Sequence, residues 1–334
     1  MKWLNGILII IIFLLLLPSI ITKVFSPGSD LPENPSVSEN TNEIIIIPEK
    51  EDIYISMYDV QKREIVKLLL DDYLMGVVAG EMPATFDSEA LKAQAVAART
   101  LSIYKMLSFG GRGCNKKEGA DVCSSFAHCQ EWISEETRQK NWGEDYTANF
   151  NKIKQAVLET RGEIMKYDGR PIEVLFHSTS NGKTEDAGEV FSNSLPYYTV
   201  VESVGEEDAP KFHGSVTYTN QKFVDIFNNH YKSSLNTKNL SKQVKINGYT
   251  ESGRVSDITV GGVKLQATDF RLLYGLNSTD FTIRFDDNSV IINTKGFGHG
   301  VGMSQVGADQ MAKRGYYYKE ILYHYYQGVD IVGY

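Results

Sequence analysis

The chain is poor in the features that most simply assign a function. It has only three cysteines and no excess of basic residues, with 34 Lys and Arg against 42 Asp and Glu. A net charge of −8 excludes the basic stripe that nucleic-acid binding needs. There is no H-E-x-x-H string for an open catalytic zinc site, and no G-K-[ST] ending for a phosphate loop. Strands and helices do not alternate in a βαβ rhythm, which excludes a doubly wound sheet and leaves an α+β ectodomain as the expected fold class. No internal repeat is visible. The apolar content of 42% is that of an ordinary globular protein.

Charge is also missing from Trp3 to Ile21, WLNGILIIIIFLLLLPSII, between Lys2 and Lys23. An apolar run of this length suits a membrane helix, and no small-x-small cleavage site follows it. The expected organisation is a single-pass signal anchor over 1–26, a tether over 27–43 and an extracytoplasmic domain over 44–334. The tether, Pro27 to Glu43, is rich in Pro, Ser, Asn and Glu and too poor in apolar residues to order itself.

Local signals divide the remainder. SEALKAQAVAARTLSIYKML, Ser88 to Leu107, predicts a helix capped by Asp87 or Ser88, with Leu91, Ala95, Ala98 and Ser102 on one small-residue face. Pro83 keeps Glu81 and Met82 off that helix, in a strand end or loop. Asp168-Gly169 and Gly261-Gly262 predict two-residue hairpins. Helices are expected near Ser304–Arg314 and Tyr318–Tyr326, stopped by Gly315 and Gly328.

Four segments carry polar groups suited to chemistry. In VVAGEMPATF, Val77 to Phe86, Glu81 stands between an apolar run and a proline. Partial desolvation there would raise its pKa and suit a general acid. On this segment alone a capping glutamate, or one paired with Arg99, is the simpler reading. FHSTSNGKTED, Phe176 to Asp186, offers small hydroxyl and amide groups for a sugar, or merely a turn. KGFGHGVGMSQVGA, Lys295 to Ala308, has glycines at every second position from Gly296 to Gly302, with His299, Ser304 and Gln305 nearby. In CNKKEGADVCSSFAHC, Cys114, Cys123, His128 and Cys129 could hold one zinc ion. A disulfide among the cysteines, or free thiols, are the alternatives.

Taken together, GEMPATFDSEALKAQAVAART, ADVCSSFAHCQEW, HSTSNGKTEDAGEVF and GFGHGVGMSQVGADQMA followed by ILYHYYQG resemble the SpoIID/LytB family, in its order and over most of Asp72 to Gly328. The resemblance implies a lytic transglycosylase acting on peptidoglycan glycan strands already stripped of stem peptides. One acid suffices for that reaction, because the muramic C6 hydroxyl captures the cationic centre and leaves a 1,6-anhydro end. Ordinary glycosidases need a second carboxylate for water or a covalent intermediate. By the same resemblance Glu81 is the catalytic acid, and Arg99, Lys183, His299, Ser304 and Gln305 bind substrate or support the site. Catalysis then requires no cofactor, and any zinc is structural. Metal-binding members carry a histidine at the position of Lys117, so Cys114 or His128 would have to replace it. The partners implied are a cell-wall amidase and other engulfment proteins at the membrane of the sporulating cell. A non-catalytic wall-binding module that activates an amidase is the alternative.

Overall fold

The computed structural model describes residues 52–191 and 194–334. The chain enters on an antiparallel hairpin, β1 (Tyr54–Asp59) and β2 (Glu64–Leu69), paired from Tyr54↔Leu69 to Asp59↔Glu64. β2 runs directly into α1 (Leu70–Glu81), whose first turn carries Asp71 and Asp72 at the positive end of the helix dipole. Glu81 is therefore off the following helix, as Pro83 predicts, but it ends a helix rather than a strand or loop. The apolar run Leu74–Ala79 is helical because it lies under the next helix and a covering segment described below, and most of it is buried.

That next helix, α2 (Ser88–Lys105), is the centre of the larger core. Asp87 caps it, its side chain accepting from Glu89 N at 2.9 Å. Ala90, Ala93, Ala95, Ala97 and Ala98 are fully buried, so neighbouring helices can approach its backbone closely. β3 (Val122–Cys123) lies parallel to β1, Met57 facing Val122. α3 (Glu135–Trp142) and α4 (Tyr146–Glu159) follow, α4 packing on α1 and α2. β4 (Glu163–Tyr167) turns through Asp168 and Gly169, at φ 49° and 74°, into the short β5 (Arg170–Pro171). Positive φ at both central residues is the hairpin geometry that the Asp-Gly pair predicts.

β6 (Phe176–His177) leads through the HSTSNGK loop to α5 (Ala187–Val190). A second hydrophobic core is then built from β7 (His213–Thr219), α6 (Asn220–Tyr231), β8 (Val244–Tyr249), β9 (Val255–Val260), β10 (Val263–Gln266), α7 (Ala267–Leu273), β11 (Asp280–Phe285) and β12 (Ser289–Lys295). Its two sheets have orders β10-β9-β8 and β11-β12-β7. Phe223, Phe270 and Tyr274 form its aromatic centre, with Phe223 stacked on Tyr274 at 4.5 Å. The Gly261-Gly262 turn joins β9 to β10 as predicted.

After the glycine-rich loop the chain returns to the first core. β13 (Met303–Ser304) pairs in parallel with β6, placing Ser304 opposite His177. α8 (Gln305–Lys313), α9 (Tyr318–Tyr325) and β14 (Asp330–Gly333) complete the fold, β14 joining β4. The two helices match their predicted positions to within a residue or so.

The described residues are thus an α+β globular unit. The membrane helix included in the expected fold class is corrected: no helix among the described residues is long and apolar enough to cross a membrane. The anchor over 1–26 and the tether over 27–43 both lie outside the described residues.

Candidate active site

Glu81 is the last residue of α1, and the chain leaves it in extended conformation at Met82. Two donors from distant segments meet its carboxyl. The backbone N–H of Glu131 donates to Oε1 at 2.7 Å, and the Gln305 carboxamide donates to Oε2 at 3.2 Å. Burial pushes its pKa up to about 7; the two hydrogen bonds pull the other way, and the nearby Glu131 carboxylate adds to the rise. The negative end of the α1 dipole acts in the same direction, and no basic residue lies in the last turn to offset it. Such a carboxyl is substantially protonated at neutral pH and can give a proton to a leaving oxygen.

Two glycines make this arrangement possible. Gly76 and Gly80 lie four residues apart, on one face of α1. A Cβ on Gly76 would fall 2.2 Å from Trp132 Nε1, and one on Gly80 2.9 Å from the Glu131 backbone oxygen. The segment from Gln130 to Ile133 seats in that groove, with Ile133 N donating to Gly76 O at 3.2 Å. Glu131 N–H is thereby brought to the end of the helix.

The segment is held from its other side by a sulfur-rich cluster. The ligand atoms of Cys114, Cys123, His128 and Cys129 lie within 4.8 Å of one another. His128 Nδ1 is 3.4 Å from Cys114 Sγ, 3.5 Å from Cys123 Sγ and 3.3 Å from Cys129 Sγ. Cys114 and Cys129 sulfurs are 3.9 Å apart, and none of the three cysteines is in a disulfide. A tetrahedral zinc with ordinary Zn–S and Zn–N lengths requires edges of about 3.5 Å for S···N and about 3.8 Å for S···S. The donor set therefore fits a closed, structural zinc site. Hydrogen bonding from Cys129 draws the Cys123 thiol down to about 5, as suits a thiolate ligand. Cys114 and His128, weighed as alternative replacements for a histidine at the position of Lys117, both join the cluster.

Gln305 opens α8, and Ser304 caps that helix, accepting from Gly307 N at 3.2 Å. The Ser304 hydroxyl donates in turn to the buried carboxylate of Glu206 at 2.6 Å. His299 stands on the loop leading to this helix. Its ring is 5.8 Å from that of His177 and 5.6 Å from Phe191, and its Nδ1 accepts from Val301 N at 3.1 Å. Burial, with Arg271 and Arg254 adding to it, lowers its pKa to about 4, so the imidazole is neutral at physiological pH. Gly302 is needed where the loop passes Leu175: φ is +71°, and a Cβ would lie 2.0 Å from the Leu175 carbonyl oxygen.

The remaining two residues lie elsewhere. Lys183 is half-exposed and pairs with Glu202 at 3.2 Å. Its loop is tied to the second core by Asn181, which donates to Asp280 at 2.9 Å, and by Arg254, which donates to the Lys183 carbonyl at 3.0 Å. Arg99 is fully buried. It donates to the backbone oxygens of Val157 at 2.8 Å, in the last turn of α4, and of Thr160 at 2.7 Å, just past its end, and lies 3.8 Å from Asp71. Those partners make it a clip between helices.

Sequence reasoning brings Glu81, Ser304 and Gln305 into the site but misses Glu131, whose contribution is a backbone N–H that no side-chain pattern reveals. It also misses Glu206, which lies outside the quoted strings. The Gly76/Gly80 spacing was the available signal for the covering segment.

The family described as Stage II sporulation protein matches residues 58–167. Stage II sporulation protein D of Bacillus subtilis (strain 168) is 38% identical over 279 residues, covering 84% of this chain and 79% of the relative. Its counterpart from Bacillus amyloliquefaciens is 37% identical over the same length, covering 84% and 78%. An amidase enhancer of Bacillus subtilis (strain 168) is 29% identical over 311 residues, spanning 78% of this chain and 40% of that protein. Identity and coverage of this extent mean that the chain belongs to the stage II sporulation protein D family.

Proposed function

We propose that this protein is a peptidoglycan lytic transglycosylase that cleaves the bond between N-acetylmuramic acid and N-acetylglucosamine in peptide-free glycan strands. The observation that carries the reading is the Glu81 carboxyl: half-buried, protonatable at neutral pH and aimed by two fixed donors. Protonated Glu81 gives its proton to the glycosidic oxygen as that bond breaks. The muramic C6 hydroxyl attacks the resulting cationic carbon and returns its proton to the Glu81 carboxylate. The product is a 1,6-anhydro end, with the acid restored. Cys114, Cys123, His128 and Cys129 would hold a structural zinc, which would brace the segment bearing the Glu131 N–H. Lys183, His299, Ser304 and Gln305 are the supporting or substrate-binding set, and Arg99 supports at a distance through the helices it clips. The enzyme would act outside the cytoplasmic membrane during forespore engulfment, alongside an amidase that strips stem peptides.

Incubation with purified peptide-free glycan strands, followed by mass spectrometry, tests this. Products one water lighter than the hydrolysed ends, absent with Glu81→Gln, are expected; an unchanged rate in Glu81→Gln would refute the role. A second reading, a non-catalytic module that activates an amidase, is favoured by the likeness to the amidase enhancer. It predicts no cleavage products, and amidase stimulation that survives Glu81→Gln.

A further inference from the structure

Glu206 takes no part in the reaction proposed above, yet it is connected to it. Its carboxylate is 1% exposed and faces four donors. Oε2 accepts from Ser180 N at 2.8 Å and Ser304 Oγ at 2.6 Å. Oε1 accepts from Ser180 Oγ at 2.8 Å and Ser203 Oγ at 2.5 Å, and Ser203 Oγ lies 2.7 Å from the Tyr325 hydroxyl. Four donors fill the lone-pair sites of a carboxylate, opposing the burial that raises its pKa. Burying such a group is a costly way to stabilise a fold, and what it can provide is fixed geometry.

The geometry it fixes is the start of α8. Ser304 uses its acceptor on Gly307 N and its donor on Glu206, so the cap has one orientation. Gly307 seats the helix against the same cluster: a Cβ there would lie 2.2 Å from the Tyr325 hydroxyl and 2.8 Å from Glu206 Oε1. The next residue after Ser304 is Gln305, whose 3.2 Å bond to Glu81 is at the long end of the hydrogen-bond range. A small shift of the first turn would break it.

We infer that Glu206 is a positioning residue for the catalytic acid, acting through Ser304 to hold the Gln305 carboxamide against Glu81. The inference rests on the reading of Glu81 as that acid. The charged and titratable groups facing the two carboxyls are Tyr325 and Arg254 around Glu206, and Glu131 and Tyr73 around Glu81.

The test follows the Glu81 carboxyl by carbon NMR against pH, together with kcat and KM on peptide-free glycan. Glu206→Ala and Ser304→Ala are expected to move the Glu81 midpoint upward by about half a unit or more, because a donor to its charged form is lost. They should lower kcat about tenfold with KM within about twofold. Glu206→Gln keeps a carbonyl for Ser304 and should restore most of both. Ser203→Ala also removes a donor to Glu206, but it leaves the Ser304 bond to Glu206 and the Ser304 cap on Gly307 N intact. It should cost stability while leaving the midpoint and kcat in place. If Glu206→Ala does not fold, the Ser304→Ala and Ser203→Ala pair decides. An unmoved midpoint in Ser304→Ala, or an equal shift in Ser203→Ala, overturns the inference. Absence of anhydro products from the wild type would instead overturn the reading of the reaction, while the NMR midpoint still reports on the relay.

Discussion

The carboxamide of Gln305 meets the carboxyl of Glu81 at 3.2 Å although the two residues are 224 positions apart. One ends the first helix of the described chain and the other begins the second-last, so the surroundings of Glu81 are assembled by closure of the whole fold.

Removing that contact should be visible in the pH profile. Gln305→Ala takes a donor from the charged form of Glu81, so the pKa of the acid rises above about 7. A general acid works only when protonated, and the alkaline limb of kcat is expected to move to higher pH. The maximal rate should fall by about tenfold, less than the roughly 10²–10⁴-fold loss on removing a general acid outright. A pH–rate series on peptide-free glycan measures both.

Glu81 should also be a liability to stability. Its folded pKa is raised, from 4.5 to about 7, so between those values the folded state holds more protons than the unfolded one. Stability therefore falls as pH rises through that window, by at most about 3 kcal/mol for this group. Glu81→Gln is expected to unfold at a higher temperature than wild type at pH 8, with the difference vanishing near pH 4. Thermal melts at the two pH values would show it.

Arg99 should behave as a structural residue. Its removal leaves Asp71 and the carbonyls of Val157 and Thr160 short of a buried donor. Arg99→Met is expected to lose about 3–5 kcal/mol of stability. The fraction that remains folded should keep the wild-type pH profile, because none of those partners touches the acid. Denaturant unfolding and activity per folded molecule separate the two effects.

The cysteine cluster should bind one zinc per chain. Elemental analysis of unreduced protein is expected to give that stoichiometry, and Cys123→Ser to abolish it. Chelation should lower the melting temperature and loosen the segment from Gln130 to Ile133, read by hydrogen exchange at Glu131 N–H. Protection at Glu131 unchanged after metal removal would disconnect the cluster from the acid.

Much of this was legible in the chain. An aspartate cap and an alanine-rich run of good helix formers located α2, although burial of every residue from Ala93 to Ile103 leaves it no single apolar stripe. Asp168-Gly169 located its turn because those residues tolerate positive φ. Glu81 was misplaced locally. The run before it has too few polar residues for helical periodicity to show, and only its burial beneath α2 and the Gln130–Ile133 segment made it helical. Arg99 lies close to Glu81 in sequence, but its guanidinium is engaged by the backbone oxygens of Val157 and Thr160.

The amino-acid sequence by itself determined the family, the mixed architecture and the four metal-type donors, and it singled out Glu81 as the candidate acid. These follow from side-chain chemistry and short-range patterns, which survive in one dimension. Tertiary structure alone decided which donors reach Glu81, that Cys114 and His128 share one cluster, and that Glu206 stands behind Ser304. Those relations depend on a backbone N–H, on glycines that admit a neighbouring segment, and on burial that moves a carboxyl to about 7. Each is a property of closely packed space between distant segments, and no local pattern encodes it.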